Sequence, residues 1–524
     1  MRARLWNGLC AAWVLLAGAG AACADTAPGR PVLDVRVQSG EVFDARRRGE
    51  DHFVFRWANA VHVCTRERII RRELLLDVGD AYDPALVAES ERNLRALGIF
   101  QDVNIRAEDT PDGVVLWVQT NDRWTAEVRT EFRSQGGISQ IGFGVSDANL
   151  LGRAVEVGGA ITSSTDVDSR TLSWRDPRLL GSRWTTSGSY RHDELLRGWR
   201  VAVEMPFYAD RARWTAAAEV TDSHGERRRF ENGEESERLD VDETLVDGFA
   251  AWHRRGTGLA RWGILGTRRS LRGTDSSDIA MLGVLWSRMQ REYRAGREID
   301  QFGAVEDVAQ GWTVQLGAGA DLRALGGDAD RPFARADFAA AHFWGAHSLV
   351  GVRLRQHAFF DQGEIANAQL GFESFGYAHA GTHQTIAWRA GAAAVVREPR
   401  NYRFNLGGDD RLRGYEARHL SGERILYLGV EDRLFSDFRL FFIRMGAVLF
   451  ADAAAAWDPG ETLSTRQARL GGGIGLRFGT NRTGSSISGI DLAFGTNSVQ
   501  ISFANGSFFR AARGLSFLDP RPFR

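Results

Sequence analysis

The sequence predicts a mainly β protein: a transmembrane antiparallel β-barrel of about 16 strands preceded by one small α+β domain. Three observations carry this. The first residues form an export leader. Helical periodicity is confined to residues before Trp124. From Thr125 onward apolar and polar residues alternate in segments of roughly ten, separated by Gly, Asp and Asn clusters. No later segment holds ~18 consecutive apolar residues, so no helix is expected to cross a membrane. Only helices and closed barrels satisfy their backbone hydrogen bonds in lipid, and the period selects the barrel over a large soluble periplasmic protein.

The leader is residues 1–24. Arg2 and Arg4 form a basic head, an apolar run extends from Cys10 to Ala22, and Ala22-Cys23-Ala24 is a small-x-small cleavage site. Gly20 stands where a lipoprotein signal wants Leu, so Cys23 is not read as a lipidation site. Cleavage after Ala24 leaves Cys64 as the last cysteine. A disulfide framework, a metal-thiolate site and a catalytic cysteine are therefore not expected, and Cys64 is read as a small buried hydrophobe. The 66 basic and 67 acidic side chains balance, and no Lys/Arg stripe stands out, which argues against nucleic acid.

Residues 25–124 contain the α+β module. Val32 to Val37 alternates as a strand, and Glu41 to Asn59 is polar and irregular. A helix is expected from Thr65, its N-cap, with Ile69, Ile70 and Leu74 on one face. Asp83-Pro84 starts a second helix with Pro at its first position, a stripe of Leu86, Val87, Ser90, Leu94 and Leu97, and a stop at Gly98. Two strands follow, joined by Pro111-Asp112-Gly113. His62, near the first helix start, is read as a surface or capping residue. The order strand, helix, helix, strand, strand resembles a polypeptide-transport-associated (POTRA) domain. The residues that carry the resemblance are Ile70-Arg-Arg-Glu-Leu, Gly79-Asp-Ala-Tyr-Asp, Val103 and, above all, the run from Ser90 to Leu97-Gly-Ile-Phe100. The stretch Glu41 to Asn59 is longer than such a domain needs. The sheet edge could accept an extended peptide by strand addition, or the module could plug or brace the barrel.

The barrel is assigned to residues 125–508 and a tail to 509–524. In Arg213 to Thr221, Trp214, Ala216, Ala218 and Val220 oppose Arg213, Thr215 and Glu219. In Ala346 to Ala358, Val350, Val352 and Leu354 oppose Gly351, Arg353 and Arg355. Charges on one face of an apolar strand suit a wet lumen better than a packed sandwich. Sharing the span at about 24 residues per strand and loop gives the count of about 16, with Trp and Phe near segment ends as interfacial girdles. The Glu- and Arg-rich insert Asp222 to Thr244 reads as a long, solvated extracellular loop.

Between the strand-like runs Gln384–Val396 and Arg424–Phe435 lies Gly407-Gly-Asp-Asp-Arg-Leu-Arg413-Gly414-Tyr415, a loop tip by composition. A POTRA domain ahead of a barrel resembles the superfamily of outer-membrane assembly factors and two-partner secretion transporters, the bacterial surface antigens. Its members carry an Arg-Gly-Tyr/Phe motif on the sixth extracellular loop, folded into the lumen, and Arg413-Gly414-Tyr415 matches it. The family's Phe-x-Asp-x-Gly followed by Trp reads here Phe450-Ala-Asp452-Ala-Ala454 and Trp457, with Ala454 in place of glycine, which puts the local bend in doubt. Alternation from Phe441 to Leu449 puts Arg444, Gly446 and Asp452 inside. A guanidinium fork on a lumenal Asp452 would hold the loop tip, Gly414 would permit the turn and Tyr415 would pack on the wall. The last hairpin, Gly473 to Phe478 and Gly489 to Phe494, turns Arg477 and Asp491 inward, expected in the same charge network. Ser146 to Gly152 and Asp176 to Gly181 match early-strand and turn signatures and are read as register and turn devices.

The resemblance implies an outer-membrane barrel with its POTRA domain in the periplasm, capturing unfolded outer-membrane or secreted client, with accessory lipoproteins as further partners and no cofactor. It departs from the family's usual pattern in having one POTRA domain, where relatives carry two or several, and no evident plug helix. A passive channel with a POTRA brace is the alternative. An enzyme is not indicated: no lipase Gly-x-Ser-x-Gly or metal-ligand cluster is evident, and the 11 His are scattered.

Overall fold

The computed structural model describes residues 28–40, 42, 62–135, 137–206, 212–253, 260–274, 276–300, 302, 306–345, 348–397, 403–408, 411–440, 443–464, 467–479 and 488–505. The leader, the tail and nearly all of the polar stretch 41–59 lie outside them.

The N-terminal module runs β1 (Val32–Gly40), α1 (Glu67–Glu73), α2 (Pro84–Ala96), β2 (Phe100–Thr110) and β3 (Gly113–Asp122). The sheet order is β1-β3-β2, with β1 parallel and β2 antiparallel to β3. Ile70, Leu94, Ile99, Val114 and Val118 are wholly buried in its core, each contributing roughly 1.5–3 kcal/mol of transfer free energy. α2 begins as its sequence dictates: Asp83 Oδ1 accepts from Ala85 N at 2.9 Å and Pro84 occupies the first turn. α1 is shorter than its apolar pattern suggested and is not capped by Thr65. Its N-cap is Arg66 without a side-chain bond, because Thr65 Oγ1 is taken by Asn149 Nδ2 at 2.8 Å. Two further expectations are corrected. Cys64 is exposed, and the His62 side chain is largely covered, bonded to Asp122 at 2.9 Å.

The barrel strands are β4 (Ala126–Gln135), β5 (Ile138–Asp147), β6 (Glu156–Ser164), β7 (Ser169–Asp176), β8 (Thr185–Asp193), β9 (Leu196–Met205), β10 (Trp214–Glu231), β11 (Glu234–His253), β12 (Ala260–Gly273) and β13 (Ser277–Gly296). They continue with β14 (Glu306–Asp321), β15 (Arg331–Trp344), β16 (Ser348–Asp361), β17 (Glu364–Gly381) and β18 (Gln384–Val396). After the short pair β19 (Phe404–Leu406) and β20 (Leu420–Gly422) come β21 (Arg424–Leu440), β22 (Ile443–Trp457), β23 (Ala468–Gly479), β24 (Ser488–Phe494) and β25 (Val499–Asn505). Apart from β19 and β20, which pair with each other, these form one closed meander in chain order, β25 meeting β4. Phe132 and Phe503 pack edge to face at 5.2 Å across that seam.

Among the described residues the barrel has 20 strands, not about 16. The count fell short because several turns hold only two or three residues, leaving about 19 residues per strand and connection rather than 24. The insert Asp222 to Thr244 is likewise not an irregular loop. β10 and β11 run through it as a paired ladder, with one register shift between Arg229 and Phe230, and stand as a hairpin beyond their neighbours. Its charges are paired across the ladder, as in Arg229–Glu237 at 3.2 Å and Arg227–Glu243 at 3.2 Å.

Side chains alternate as expected. Val284, Leu428, Leu449 and Leu476 are about half exposed on the outer face, a band suited to lipid. Trp214, Trp252, Trp262 and Trp286 sit in register across β10 to β13, and the rings of Trp262 and Trp286 lie 6.3 Å apart. This row is an interfacial girdle on one rim. Inward charges pair with one another, as in Arg200–Glu219 at 2.6 Å and Arg331–Asp321 at 3.2 Å.

The N-terminal module sits on one mouth of the barrel. The turns at Leu150–Gly152 and Leu179–Gly181 have the same build: an aspartate caps the turn (Asp147 on Asn149 N, Asp176 on Arg178 N) and the middle leucine takes a positive φ. Both dock on the module. Arg66 N donates to Gly152 O at 2.9 Å, and Arg178 forms a buried ion pair with Glu73 of α1. Burial pushes the Glu73 carboxyl up, against the pull of Arg178. A third contact joins α2 to the strands beyond: Arg95 pairs with Asp307 at 2.9 Å and Arg92 lies 4.9 Å from the Tyr293 ring centroid. The two motifs read as register and turn devices are therefore also the seat of the module.

Candidate functional site: a loop seated in the lumen

The connection between β18 and β21 leaves the mouth opposite the module and folds back inside. Asp409 and Asp410 lie outside the described residues; the rest of the motif is placed. Gly407, Gly408 and Gly414 all have positive φ, and Gly414, at +89°, has no room for a side chain. A Cβ there would lie 2.7–2.8 Å from the Phe494 and Gly495 backbone. On the wall, Gly471 performs the matching service: a Cβ would run into the Arg413 carbonyl oxygen. Glycine on both sides lets two backbones approach.

Arg413 is 5% exposed and uses its whole fork. Nε donates to Asp452 Oδ2 at 2.7 Å, Nη2 to Asp452 Oδ1 at 2.9 Å, and Nη1 to Glu431 Oε1 at 2.8 Å. Its backbone N also donates to Asp452 Oδ2, at 3.1 Å. The guanidinium lies 3.7 Å from the Phe450 ring centroid. Two carboxylates, a ring face and a planar five-donor group define one orientation, which Lys could not reproduce. Tyr415 closes the seat on the other side. Its hydroxyl donates to Leu470 O at 2.7 Å, lies 2.8 Å from Thr496 Oγ1, and accepts from Thr496 N at 3.0 Å. Ser498 Oγ donates to Gly414 O at 2.5 Å. Leu412 and Tyr415 pack with Tyr427, Ala454 and Ala456. Ala454 introduces no bend, since the β21–β22 register is continuous through it.

Asp452 stands on β22 and Glu431 on the neighbouring β21, both pointing inward. The charge network continues from Glu431. Its second oxygen receives Arg433 at 2.8 Å, and Arg433 also holds Ile299 O at 2.7 Å and Asp300 at 2.9 Å. Ile299 and Asp300 belong to the connection between β13 and β14 on the module side. Arg477 and Asp491 face inward as a two-pronged pair of their own. They share the chamber with Arg413, whose guanidinium feels the Asp491 charge.

Above the loop, Arg418 and Arg228 both bond Asp166, at 2.9 and 2.5 Å, and both lie over the Phe230 ring. Asn232 N donates to Ser421 Oγ at 3.1 Å. The β10–β11 hairpin thus covers the loop.

Sequence reasoning found Arg413, Gly414, Tyr415 and Asp452 and passed over Glu431 and Arg433. Alternation would have placed both inside: Tyr427, Gly429, Glu431 and Arg433 oppose Leu426, Leu428 and Val430. Asp300, Thr496 and Asp166 sit in turns, where no period signals a direction. The loop is also not the sixth on its side: with 20 strands it is the eighth connection at that mouth among the described residues.

Residues 63–121 match the POTRA family model, described as a surface antigen variable number repeat. The chain is 38% identical over 147 residues to the outer membrane protein assembly factor BamA of Neorickettsia risticii, a match spanning 28% of this chain and 18% of that protein. The chain thus covers under a fifth of that relative's length. Similar solved structures are BamA from Haemophilus ducreyi lacking POTRA domains 1–3 (13% identity, 91% of this chain, 85% of that one, TM-score 0.39) and CdiB from Acinetobacter baumannii (10%, 91%, 74%, 0.43). CdiB from Escherichia coli is a third (12%, 91%, 76%, 0.44). The chain thus carries one POTRA domain, matched at residues 63–121, seated on a closed antiparallel barrel.

Proposed function

We propose that this chain inserts proteins into the bacterial outer membrane or passes them across it, with the POTRA domain in the periplasm taking unfolded client. The single observation that carries the reading is the Arg413 fork on Asp452 and Glu431. A loop anchored inside a barrel by buried charges blocks free diffusion, which a solute pore would not need. The barrel acts without covalent chemistry, and the lumenal residues Arg413, Gly414, Tyr415, Asp452, Arg477 and Asp491 act by holding wall and loop in one arrangement. Client would reach the barrel through the exposed sheet edge of the POTRA domain by strand addition. Outer-membrane lipid surrounds the outer band, and accessory lipoproteins are the partners expected at the POTRA surface. The relative's role in outer-membrane protein assembly supports the insertion branch.

The test is single-channel conductance in planar bilayers, wild type beside Arg413→Ala, Asp452→Ala and the double variant, with POTRA capture of unfolded outer-membrane protein measured in parallel. Equal, non-additive openings together with client capture support the proposal. A large, steady wild-type conductance that neither substitution alters, with no client bound, makes the chain a passive channel braced by its POTRA domain.

A further inference from the structure

At the junction of the POTRA domain and the barrel, three different donor side chains converge: His62 and Cys64 before α1, and Asp122 at the end of β3. Their donor atoms all lie within 4.8 Å of one another. We propose that they form a divalent-cation site suited to zinc.

The argument starts from Asp122. Its side chain is wholly buried, and among the described residues no Arg or Lys is paired with it. Oδ2 accepts from Thr65 N at 2.7 Å and meets His62 Nε2 at 2.9 Å. Oδ1 accepts nothing. A buried carboxylate oxygen without a partner is costly. A cation on Oδ1 removes that defect.

The donor set fits the metal. Thiolate, imidazole and carboxylate are the three ligand types of protein zinc, and three of them with one open position is a familiar zinc geometry. Bonds of about 2.0–2.3 Å in a tetrahedron place donors roughly 3.3–3.8 Å apart, so rotamer adjustments of about 1 Å assemble the site. Cys64, exposed, can supply such a movement, whereas Asp122 is held by Thr65 N. A fourth position is left for water.

The location gives the site a consequence. Asp122 leads through Trp124 into β4. Cys64 lies against the barrel turn at Gly152, where a Cβ would strike the Cys64 carbonyl oxygen. An ion here ties the start of α1, the end of the POTRA sheet and the barrel turn into one joint.

The test uses the full chain purified in detergent, stripped with chelator and titrated with zinc against a chromogenic competitor. Wild type is expected to take up one equivalent more than Cys64→Ser and His62→Ala, neither of which disturbs the Asp122–Thr65 bond. Cobalt added instead of zinc should give a thiolate charge-transfer band in the near ultraviolet that Cys64→Ser abolishes. Equal zinc uptake by all three proteins, or a cobalt spectrum unchanged by Cys64→Ser, overturns the proposal and leaves His62–Asp122 as a hydrogen-bonded brace.

Discussion

Arg413 and Arg433 grip opposite oxygens of one buried carboxylate, Glu431, at 2.8 Å each. Arg413 arrives on the loop from the outer mouth, while Arg433 reaches toward Asp300 in a connection at the POTRA side. A single wall residue therefore ties the segments that enter the lumen from its two ends. Glu431→Gln is expected to loosen both. Removing one member of a buried charge cluster typically costs about 3–5 kcal/mol, and here two arginines lose an anion while each keeps one. The thermal midpoint in detergent should fall, and channel openings should lengthen. Unchanged melting and conductance would show that the two anchors are independent.

Arg413→Lys separates charge from shape. Lysine keeps the positive charge but offers a point in place of a fork, so it can serve Asp452 or Glu431, not both with the present angles. Its conductance should lie between wild type and Arg413→Ala. Double-mutant cycles supply the finer measurement. Arg413 with Asp452, which are directly hydrogen-bonded, should couple by roughly 1–3 kcal/mol, and Arg413 with Asp491, which acts on it through charge alone, should couple less.

Gly471→Ala tests the seat without touching a charge. A methyl group there runs into the Arg413 backbone carbonyl oxygen, which cannot swing aside as a side chain could, so the loop has to lift. Overpacking of this kind costs about 1–3 kcal/mol, and the motif arginines should become open to trypsin added from outside. Gly472→Ala, where a Cβ meets one atom at 3.2 Å, is the neighbouring control.

The parts of this molecule legible in the sequence were those written in periods. Alternation placed Leu449 outward and Asp452 inward, and helical spacing put Ser90 and Leu94 on the buried stripe, as the structure has them. Turn chemistry was legible where one residue decides it, as at Pro84 or Gly414. What escaped was set by partners distant in sequence. Thr65 looks like a cap until Asn149 claims its hydroxyl. Asp222 to Thr244 looks like a loop because a two-stranded ribbon in water has polar residues on both faces and loses its alternation. The strand count differs for a related reason: about 24 residues per strand and loop is an average, and this barrel's turns are shorter.

Arg178→Ala addresses the union of POTRA domain and barrel. It removes the partner of Glu73, which is 1% exposed, and leaves a carboxylate buried, at a cost of about 3–5 kcal/mol. The folded protein can escape by protonating Glu73 or by undocking α1 from the turn at Leu179–Gly181. Either way the POTRA domain should gain mobility relative to the barrel, read as faster hydrogen exchange at α1 and easier proteolysis between the two. Glu73→Gln combined with Arg178→Ala should recover part of the loss, since the unpaired charge is gone.

Asp166 supplies the pH dependence. It sits in the turn between β6 and β7 and accepts from Arg418 of the lumenal loop and Arg228 of the covering hairpin. Partial burial alone would raise its carboxyl, but the two guanidinium bonds outweigh that and hold its pKa below the ordinary 3.8. A depressed carboxylate favours the folded arrangement above its unfolded pKa, and that contribution is lost as pH falls through the folded value. The clasp is therefore complete from neutral pH down to about 4 and opens in more acid solution. Planar bilayers allow the outer side alone to be acidified. Current flicker should stay constant from pH 7 to about 4 and rise below it as the hairpin releases the loop. Asp166→Asn should flicker at every pH, with the acid-dependent rise removed. A wild-type rise already complete near pH 6 would show that a group other than Asp166 opens the clasp.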